Sequence, residues 1–218
     1  GTTFFPLRQR PLSTLKMCVS GLDNPRMMAD ADGRHELLAD TRDALDTLSA
    51  YFSKMRDITF NDVTQIPLNI SDIDLSALAT RVRQTAPNPT HKRVNIVVDI
   101  PEGLTVHADP SHMYNILSNL VENAIKYSSD EVSVTISASE TPDGVAITVT
   151  DNGIGIPASD LGHIFNRFYR GRASAGDVPG IGLGLTYVRL LTEAHGGTGE
   201  GKSTHGRGTC FTINLPQR

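Results

Sequence analysis

The hydrophobic pattern of this chain changes its period near residue 60, and no other feature of the sequence constrains the fold as strongly. Before that point, apolar residues recur every three or four positions, which is the period of an amphipathic helix. Turn-forming residues at 21–25 and 30–33 divide the pattern into two runs. The first run is Leu12, Leu15, Val19 and Leu22, and the second is Leu38, Thr41, Leu45, Leu48, Phe52 and Met55. We therefore predict two helices joined as an antiparallel hairpin over residues 1–62.

A two-helix hairpin of this kind cannot enclose its own apolar seam. A second copy of the hairpin would cover the seam by completing a four-helix bundle. We therefore predict a homodimer formed through residues 1–62. The alternative is that the seam packs against the rest of the chain.

From residue 66 onward, short alternating strands are interspersed with helices. Asp72 or Asp74 caps the first of these helices, Asp109 and Pro110 begin the second, and Gly196 ends the third. Most neighbouring strands are joined as hairpins, which indicates an α+β fold over residues 66–218, with helices on one face of a mixed sheet. The predicted strands are 67–71, 94–100, 104–108, 132–139, 145–150 and 209–215, and the predicted helices are 74–84, 109–127 and 183–195.

The charge and composition of the chain exclude several function classes. With 20 Lys and Arg residues against 24 Asp and Glu residues, the chain lacks the basic character that nucleic-acid binding requires. It has no apolar run of about 18 residues that could span a membrane, and no signal-peptide pattern at its start. Its two cysteines, Cys18 and Cys210, are too far apart for a metal motif and suit reduced thiols in the cytoplasm.

One face of the helix predicted over residues 109–127 is rich in asparagine. Asn115, Asn119 and Asn123 recur at intervals of four and are followed by Lys126. Asparagine is a poor helix former, so three of them on one face favour a ligand-binding role. Their neutral oxygens, with the lysine, suit a magnesium–phosphate group. The alternative is an ordinary solvated helix face.

Two glycine-rich loops follow this helix. In residues 151–157, Gly153 and Gly155 let the backbone approach a flat ligand closely, and Asp151 offers an acceptor for an amine. Residues 180–185 precede a helix whose N-terminal N–H groups could bind phosphate. Neither loop has the context of a dinucleotide fingerprint or of a Walker-type phosphate loop. A third glycine pair lies at residues 206–209.

Taken together and in this order, the motifs resemble those of sensor histidine kinases with a GHKL-type ATP-binding domain. The N, G1, F, G2 and G3 boxes of that family correspond to residues 119–127, 151–157, 164–170, 180–185 and 206–209. The resemblance covers about residues 66–216, and the hairpin before them is similar to the family's dimerisation and phosphotransfer helices. It implies an α/β sandwich, ATP and Mg²⁺ as ligands, and a response regulator receiver domain as partner. It also implies the cytoplasmic portion of a sensor that is attached to a membrane through residues upstream of Gly1.

The resemblance also implies roles for individual residues. Asn123 would hold Mg²⁺, Asn119 and Lys126 would lie near the phosphates, and Asp151 would accept a hydrogen bond from the adenine amino group. Residues 166–178 would form a lid over ATP. The other implied nucleotide-binding residues are Tyr127, Gly153, Gly155, Arg170, Gly180, Gly182, Leu183, Gly184 and Thr209.

The chain departs from the family at the phosphoacceptor box, H-E-x-x-T-P-L. Aligning Pro11 and Leu12 with the end of the box places Pro6 at the histidine and Leu7 at the acid. Proline has no free nitrogen within a peptide bond and leucine cannot accept a proton, so neither can do the chemistry. His35 begins a similar pair with Glu36 but lacks the following Thr-Pro-Leu. The acceptor could also lie upstream or on another protein.

Three functional hypotheses follow. The first is a histidine kinase core that transfers phosphoryl from ATP to a histidine and on to a response regulator. The alternative is a pseudokinase whose ATP occupancy gates signalling without an in-chain acceptor. A GHKL chaperone or topoisomerase ATPase is disfavoured, because Asn119 takes the place of the general-base glutamate of those enzymes. Glu122 cannot replace it, because Glu122 directly precedes Asn123 and points about 100° away from it around the helix.

Overall fold

The computed structural model describes residues 11–22, 31–60, 66–88, 92–171 and 182–216. The chain divides into two compact units between Thr59 and Phe60. The first unit contains helices α1 (Pro11–Leu22) and α2 (Ala31–Phe60). Helix α2 begins earlier than predicted, because residues 31–33 form its first turn, where the carboxylate of Asp32 favours a helix N-terminus. The connector was predicted from residues 21–25 and 30–33; residues 21–22 and 31–33 belong to the two helices, and residues 23–30 lie outside the described residues.

Much of the apolar seam predicted for the hairpin is exposed in this chain. Cys18 and Ala44 are buried, whereas the other apolar side chains that the structure describes in the two helices are exposed or half-buried. Large side chains on the surface include Val19, Leu22, Leu38, Leu45 and Phe52. In the described ranges, no helix has both the length and the apolar character needed to cross a bilayer.

The second unit alternates strands and helices. Its described elements are β1 (Ser71–Asp74), α3 (Leu75–Thr85), β2 (Arg93–Asp99), β3 (Thr105–Ala108), α4 (Pro110–Lys126), β4 (Glu131–Thr141), β5 (Gly144–Asp151), α5 (Ala158–Leu161), α6 (Gly184–Ala194), β6 (Thr198–Thr204) and β7 (Gly208–Pro216).

Five of these strands form a mixed sheet in the order β2-β4-β5-β7-β6. Strands β2 and β4 pair in parallel and the other neighbours are antiparallel, while β1 and β3 form a separate antiparallel pair. Helices α4 and α6 pack against each other and against this sheet. Burial alternates along β4 and β7, so that one face of the sheet is apolar and covered. The predicted α+β sandwich is confirmed.

Side-chain caps set the start of two helices. The Asp74 carboxylate, rather than that of Asp72, accepts a hydrogen bond from the Ala77 N–H at 2.9 Å and caps α3. Asp109 accepts from the N–H groups of Ser111 and His112 at 2.9 and 3.0 Å and caps α4. The Asp109 cap fixes where α4 begins, and therefore which of its side chains reach the site described below.

One strand prediction was wrong, and one strand was not predicted. The strand predicted at 67–71 begins only at Ser71, and Asn69 instead donates its backbone N–H to the Asp109 carboxylate at 2.8 Å. Strand β6 was missed, because its sequence lacks apolar residues. Its Gly199 and Gly201 lie against Ile213 and Phe211 of β7, at positions where a Cβ atom would come within 3.3 and 3.0 Å of those side chains. Pairing with β7, rather than local propensity, makes this segment a strand.

Candidate functional site

A pocket of about 110 Å³ lies in the second unit beside the C-terminal half of α4. Its walls come from α4, from the loop after β5, from the start of α6 and from β7. The lining residues are Asn123, Tyr127, Asp151, Gly155, Ile156, Pro157, Asp160, Ile164, Tyr169, Arg170, Gly171, Leu185, Thr209 and Phe211. Most of the walls are therefore apolar, with a few polar groups between them, as is typical of small-molecule sites.

Asp151, the last residue of β5, places a carboxylate in this pocket. Its Oδ1 accepts hydrogen bonds from the backbone N–H groups of Gly153 at 2.7 Å and Thr209 at 3.2 Å. Burial raises the pKa of Asp151 above its usual range, although these two hydrogen bonds oppose the shift. The carboxylate is thus held rigidly at the pocket wall, where it can accept a hydrogen bond from a ligand.

The loop that follows Asp151 is held by hydrogen bonds to two other segments of the chain. Ile154 donates its N–H to the Tyr127 carbonyl oxygen at 2.9 Å, and Ile156 donates to Ser203 Oγ at 2.7 Å. Gly155 has φ of +67°, and a Cβ atom there would lie 2.2 Å from the carbonyl oxygen of Thr204. The close approach that requires glycine at this position is therefore an approach to the chain's own backbone.

The asparagine face of α4 meets the N-terminus of α6. Asn119 is buried and donates its side-chain N–H to the Asn115 carbonyl oxygen at 2.6 Å. A Cβ atom on Gly184, the first residue of α6, would lie 3.4 Å from Asn119 Oδ1 and 3.7 Å from Asn123 Nδ2. The first N–H groups of a helix have no intrahelical partner and carry partial positive charge. Two side-chain amides therefore face a helix terminus suited to an anion.

Lys126 and Arg170 add positive charge to the same region. Burial and, to a smaller extent, the nearby Arg170 lower the pKa of Lys126 to about 8, whereas Glu122 acts in the opposite direction. The Lys126 ammonium lies 5.0 Å from the centre of the Tyr127 ring. Because two cations that repel each other are both stabilised by an anion, this part of the site also suits phosphate.

The segment that precedes α6 is partly described. Gly180 lies outside the described residues, as do residues 172–178 of the predicted lid. Gly182 has φ of +74°, and a Cβ atom there would lie 2.7 Å from the Tyr169 carbonyl oxygen. Leu183 is buried and occupies the N-cap position of α6, without a side-chain cap hydrogen bond.

The structure thus gathers the described site residues of the sequence prediction in one region. Asn123, Tyr127, Asp151, Gly155, Arg170 and Thr209 line the pocket itself. Asn119, Lys126, Gly153, Gly182, Leu183 and Gly184 support or adjoin these residues without lining the pocket.

Sequence reasoning missed several lining residues. Phe211 lies two positions after Thr209 on β7, so the two-residue period of a strand could have placed both on one face. Ile156, Pro157, Ile164 and Tyr169 fall within the quoted motifs but were assigned no contact. Asp160 lies in the four-residue helix α5, where no periodic pattern marks it.

Three further side chains with reactive groups, those of His35, His112 and Glu122, do not line the pocket. His35 is exposed in the first turns of α2, and Pro6 and Leu7 lie outside the described residues. His112 packs edge-on against His195, with ring centres 5.8 Å apart. Glu122 accepts a hydrogen bond from Ser118 Oγ at 3.3 Å. In the described ranges, no three His, Cys, Asp or Glu side chains cluster as a metal site would require.

Comparison with known proteins identifies a family for the second half of the chain and similar proteins over more of its length. Residues 108–218, about half of the chain, match the family described as "Histidine kinase-, DNA gyrase B-, and HSP90-like ATPase". Sensor protein RprX of Bacteroides fragilis is 28% identical over 94% of this chain and 41% of its own length. Sensor histidine kinase YclK of Bacillus subtilis is 34% identical over 70% of this chain and 33% of its own length. The chain therefore spans less than half the length of these curated relatives.

A solved structure shows a similar fold. Acinetobacter baumannii histidine kinase AdeS matches 94% of this chain and 94% of its own chain, with a TM-score of 0.70 and 22% sequence identity.

Proposed function

Because the chain belongs to the family of histidine kinase-, DNA gyrase B- and HSP90-like ATPases, we propose that it is the ATP-binding core of a two-component sensor histidine kinase. Residues 66–218 bind ATP. Residues 1–62 are the dimerisation and phosphotransfer-like hairpin. The γ-phosphoryl group passes to a histidine and then to the receiver domain of a response regulator.

The observation that carries this proposal is the junction of α4 with α6 beside an apolar pocket. The amides of Asn119 and Asn123 face the N-terminus of α6 at Gly184, and the carboxylate of Asp151 lies in the adjoining pocket. One half of this site suits a phosphate chain and the other suits an aromatic base that carries an amino group. ATP has both parts.

In this arrangement the chain's own residues bind and orient ATP. Asp151 accepts a hydrogen bond from the adenine amino group, and the apolar walls exclude water from the base. The N–H groups of α6, with Lys126 and Arg170, neutralise charge on the phosphates, which is the main contribution a protein makes to phosphoryl transfer. Bound Mg²⁺ supplies further positive charge at the phosphates, and Asn123 is the residue that would hold it through its amide oxygen.

Calorimetric titration with ATP and Mg²⁺ tests the binding half of the proposal. Asn123→Ala should weaken magnesium-dependent ATP binding by about tenfold or more, since it removes a polar contact to a charged group. Asn95→Ala, an exposed change on the edge strand β2, is the matched control and should leave the affinity unchanged. No heat of ATP binding to the unmodified chain would overturn the proposed function.

A nucleotide-gated pseudokinase is the second candidate, and the residues at the phosphoacceptor box favour it. Pro6 and Leu7 stand where the family has a histidine and an acid, so this chain has no acceptor at that position. In this case ATP binding would change signalling without autophosphorylation.

Incubation with ATP labelled in the γ-phosphate separates the two candidates. Acid-labile, base-stable label on the chain supports the kinase, and its absence on a chain that binds ATP supports the pseudokinase. His35→Gln abolishes the label if exposed His35 is the acceptor. Label that survives this change identifies another histidine as the acceptor.

The partners and location follow from the same proposal. The exposed apolar side chains of α1 and α2 support a homodimer formed through the hairpin. The receiver domain of a response regulator is the expected phosphoryl acceptor downstream. The chain would work in the cytoplasm, as a portion of a sensor that is attached to the membrane through other segments.

A further inference from the structure

The hydroxyl group of Ser203 on β6 connects this strand to two other segments of the second unit. Its Oγ accepts a hydrogen bond from the Ile156 N–H at 2.7 Å, donates to the Gly208 carbonyl oxygen at 2.8 Å and lies 3.0 Å from Thr209 Oγ1. A serine hydroxyl has one proton and two acceptor positions. Since that proton goes to Gly208, Thr209 is the donor in the third contact, and every hydrogen-bonding position of Ser203 is filled.

Thr209 links Ser203 to Asp151. Ser203 and Thr209 lie directly opposite each other in the β6–β7 pair, so their side chains are on the same face of the sheet. The Thr209 N–H donates to Asp151 Oδ1 at 3.2 Å, and both Thr209 and Asp151 line the pocket, whereas Ser203 does not. Ser203 can therefore act on a bound ligand through the position of Asp151, without touching the ligand.

Ser203 also holds the loop that follows Asp151 against the β6–β7 pair. In the turn between these strands, Gly206 donates its N–H to the Ile154 carbonyl oxygen at 2.7 Å. Two residues further along the loop, Ile156 donates to the Ser203 hydroxyl. The loop is thus hydrogen-bonded to this part of the sheet at two places, and one of the two bonds depends on the Ser203 side chain.

We propose that Ser203 is a positioning residue for the nucleotide base. Its hydroxyl group fixes Thr209 and the loop after β5, and through them it holds the Asp151 carboxylate where the 6-amino group of adenine binds. An acceptor selects strongly for a matching donor only if neighbouring groups keep it in place. The preference for a base with an amino group therefore depends on a hydroxyl group that does not contact the base. The inference rests on the proposed ATP binding and deepens it.

A pair of ligands that differ only at the 6-position of the base tests this role. Calorimetry compares ATP with purine riboside triphosphate, which has hydrogen in place of the 6-amino group, and the unmodified chain should prefer ATP. Ser203→Ala should weaken ATP binding about five- to tenfold and leave the affinity for the analogue unchanged, so that the preference for ATP falls. Ser203→Thr keeps the hydroxyl group and should retain the preference.

Two further variants separate this effect from a general loss of stability. Ser203→Cys keeps the shape of the side chain, but a thiol forms only weak hydrogen bonds, so the preference for ATP should fall here too, even if Ser203→Ala does not fold. Thr212→Val is the matched control, because it removes a hydroxyl group that lies 3.2 Å from Thr148 Oγ1. Thr212 is three positions after Thr209 on β7 and therefore on the opposite face of the sheet, so the preference should not change.

Several results would overturn the inference and leave the proposed function intact. Equal losses for both ligands in Ser203→Ala would assign a structural role, and unchanged ATP affinity would show that the hydroxyl group does not position the site. An unmodified chain that binds both ligands equally, or a preference lost in Ser203→Thr or in Thr212→Val, would also contradict it. Failure of the unmodified chain to bind ATP would be a failure of the proposed function itself.

Discussion

At the scale of single residues, Gly184 affects both the stability of α6 and the space left for a ligand, and replacing it with alanine should change the two in opposite directions. It begins α6, where alanine would reduce the entropy of the unfolded chain and favour the helix. Its missing side chain also leaves the amides of Asn119 and Asn123 open beside the helix N-terminus. A Cβ atom would fit there in ordinary contact, at 3.4 Å from Asn119 Oδ1. Space alone therefore does not require glycine at this position.

We expect Gly184→Ala to raise the free energy of unfolding by about 0.4–1 kcal/mol and to weaken ATP binding about tenfold, by covering the proposed phosphate position. Urea denaturation and calorimetry measure the two effects. Gly162→Ala, where a Cβ atom would meet nothing within 4 Å, is the matched control and should leave the affinity unchanged. Full ATP affinity in Gly184→Ala would place the phosphates elsewhere.

The lowered pKa of Lys126 predicts how folding stability depends on pH and whether ATP binding takes up a proton. Burial and Arg170 bring this pKa down to about 8, so the free folded chain loses the proton at a lower pH than the unfolded chain does. Folding stability should therefore rise with pH from about 8 towards the unfolded value of 10.5. Phosphate bound beside Lys126 favours the ammonium form and raises its pKa, so ATP binding should take up protons at pH 8–9.

Calorimetry of ATP binding at about pH 8.5, in two buffers with different heats of ionisation, measures this uptake. Lys126→Arg keeps the positive charge but does not titrate in this range, so the uptake should be lost. Identical heats in the two buffers for the unmodified chain would show that Lys126 does not sense the nucleotide.

At the scale of secondary structure elements, Lys92 holds the C-terminal end of α4. Its ammonium donates hydrogen bonds to the carbonyl oxygens of Ile125 and Ser128, both at 2.7 Å, and to that of Lys126 at 3.4 Å. Helix ends leave carbonyl groups without intrahelical partners, and a cation there also offsets the helix dipole. Lys92 therefore fixes the end of the helix that carries Asn123 and Lys126.

We expect Lys92→Met to lower the free energy of unfolding by about 1.5–3 kcal/mol, the range for hydrogen bonds to charged groups. Lys202→Met is the matched control, since Lys202 on β6 makes an exposed ion pair with Glu200 and such pairs contribute about 0–1 kcal/mol. Both changes are measured by urea denaturation. Equal effects of the two substitutions would contradict the assigned role.

At the scale of the whole molecule, the exposed apolar residues of the first unit predict self-association. Val19, Leu38, Leu45 and Phe52 are each about half exposed or more, which is unusual for large apolar side chains on two neighbouring segments of a chain. A second copy that buries them would form the four-helix bundle expected from the sequence.

Sedimentation of the unmodified chain should therefore show a dimer, and Leu45→Glu should shift it towards monomer because the charge would be buried in the interface. Thr47→Glu introduces the same charge at an exposed position on another side of α2 and should leave the dimer intact. A monomeric unmodified chain, or equal dissociation by both variants, would contradict this model of assembly.

The sequence by itself determined those elements and candidate residues that depend on interactions between residues close together in the chain. The asparagine spacing of α4, its cap at Asp109 and the glycine loops are short-range patterns, and they identified most of the candidate site before any contact was known. The same holds for the two helices before residue 60, whose period-3.6 pattern extends over many turns.

Only the tertiary structure decided the features that depend on residues far apart in the chain. Strand β6 has no apolar alternation and exists because β7 pairs with it, so no local pattern could reveal it. Asp160 lines the same pocket as Asp151 although it lies in a four-residue helix without a periodic pattern, so only packing could reveal it. Local patterns determine what each segment can form, whereas burial and pairing depend on which distant segments meet.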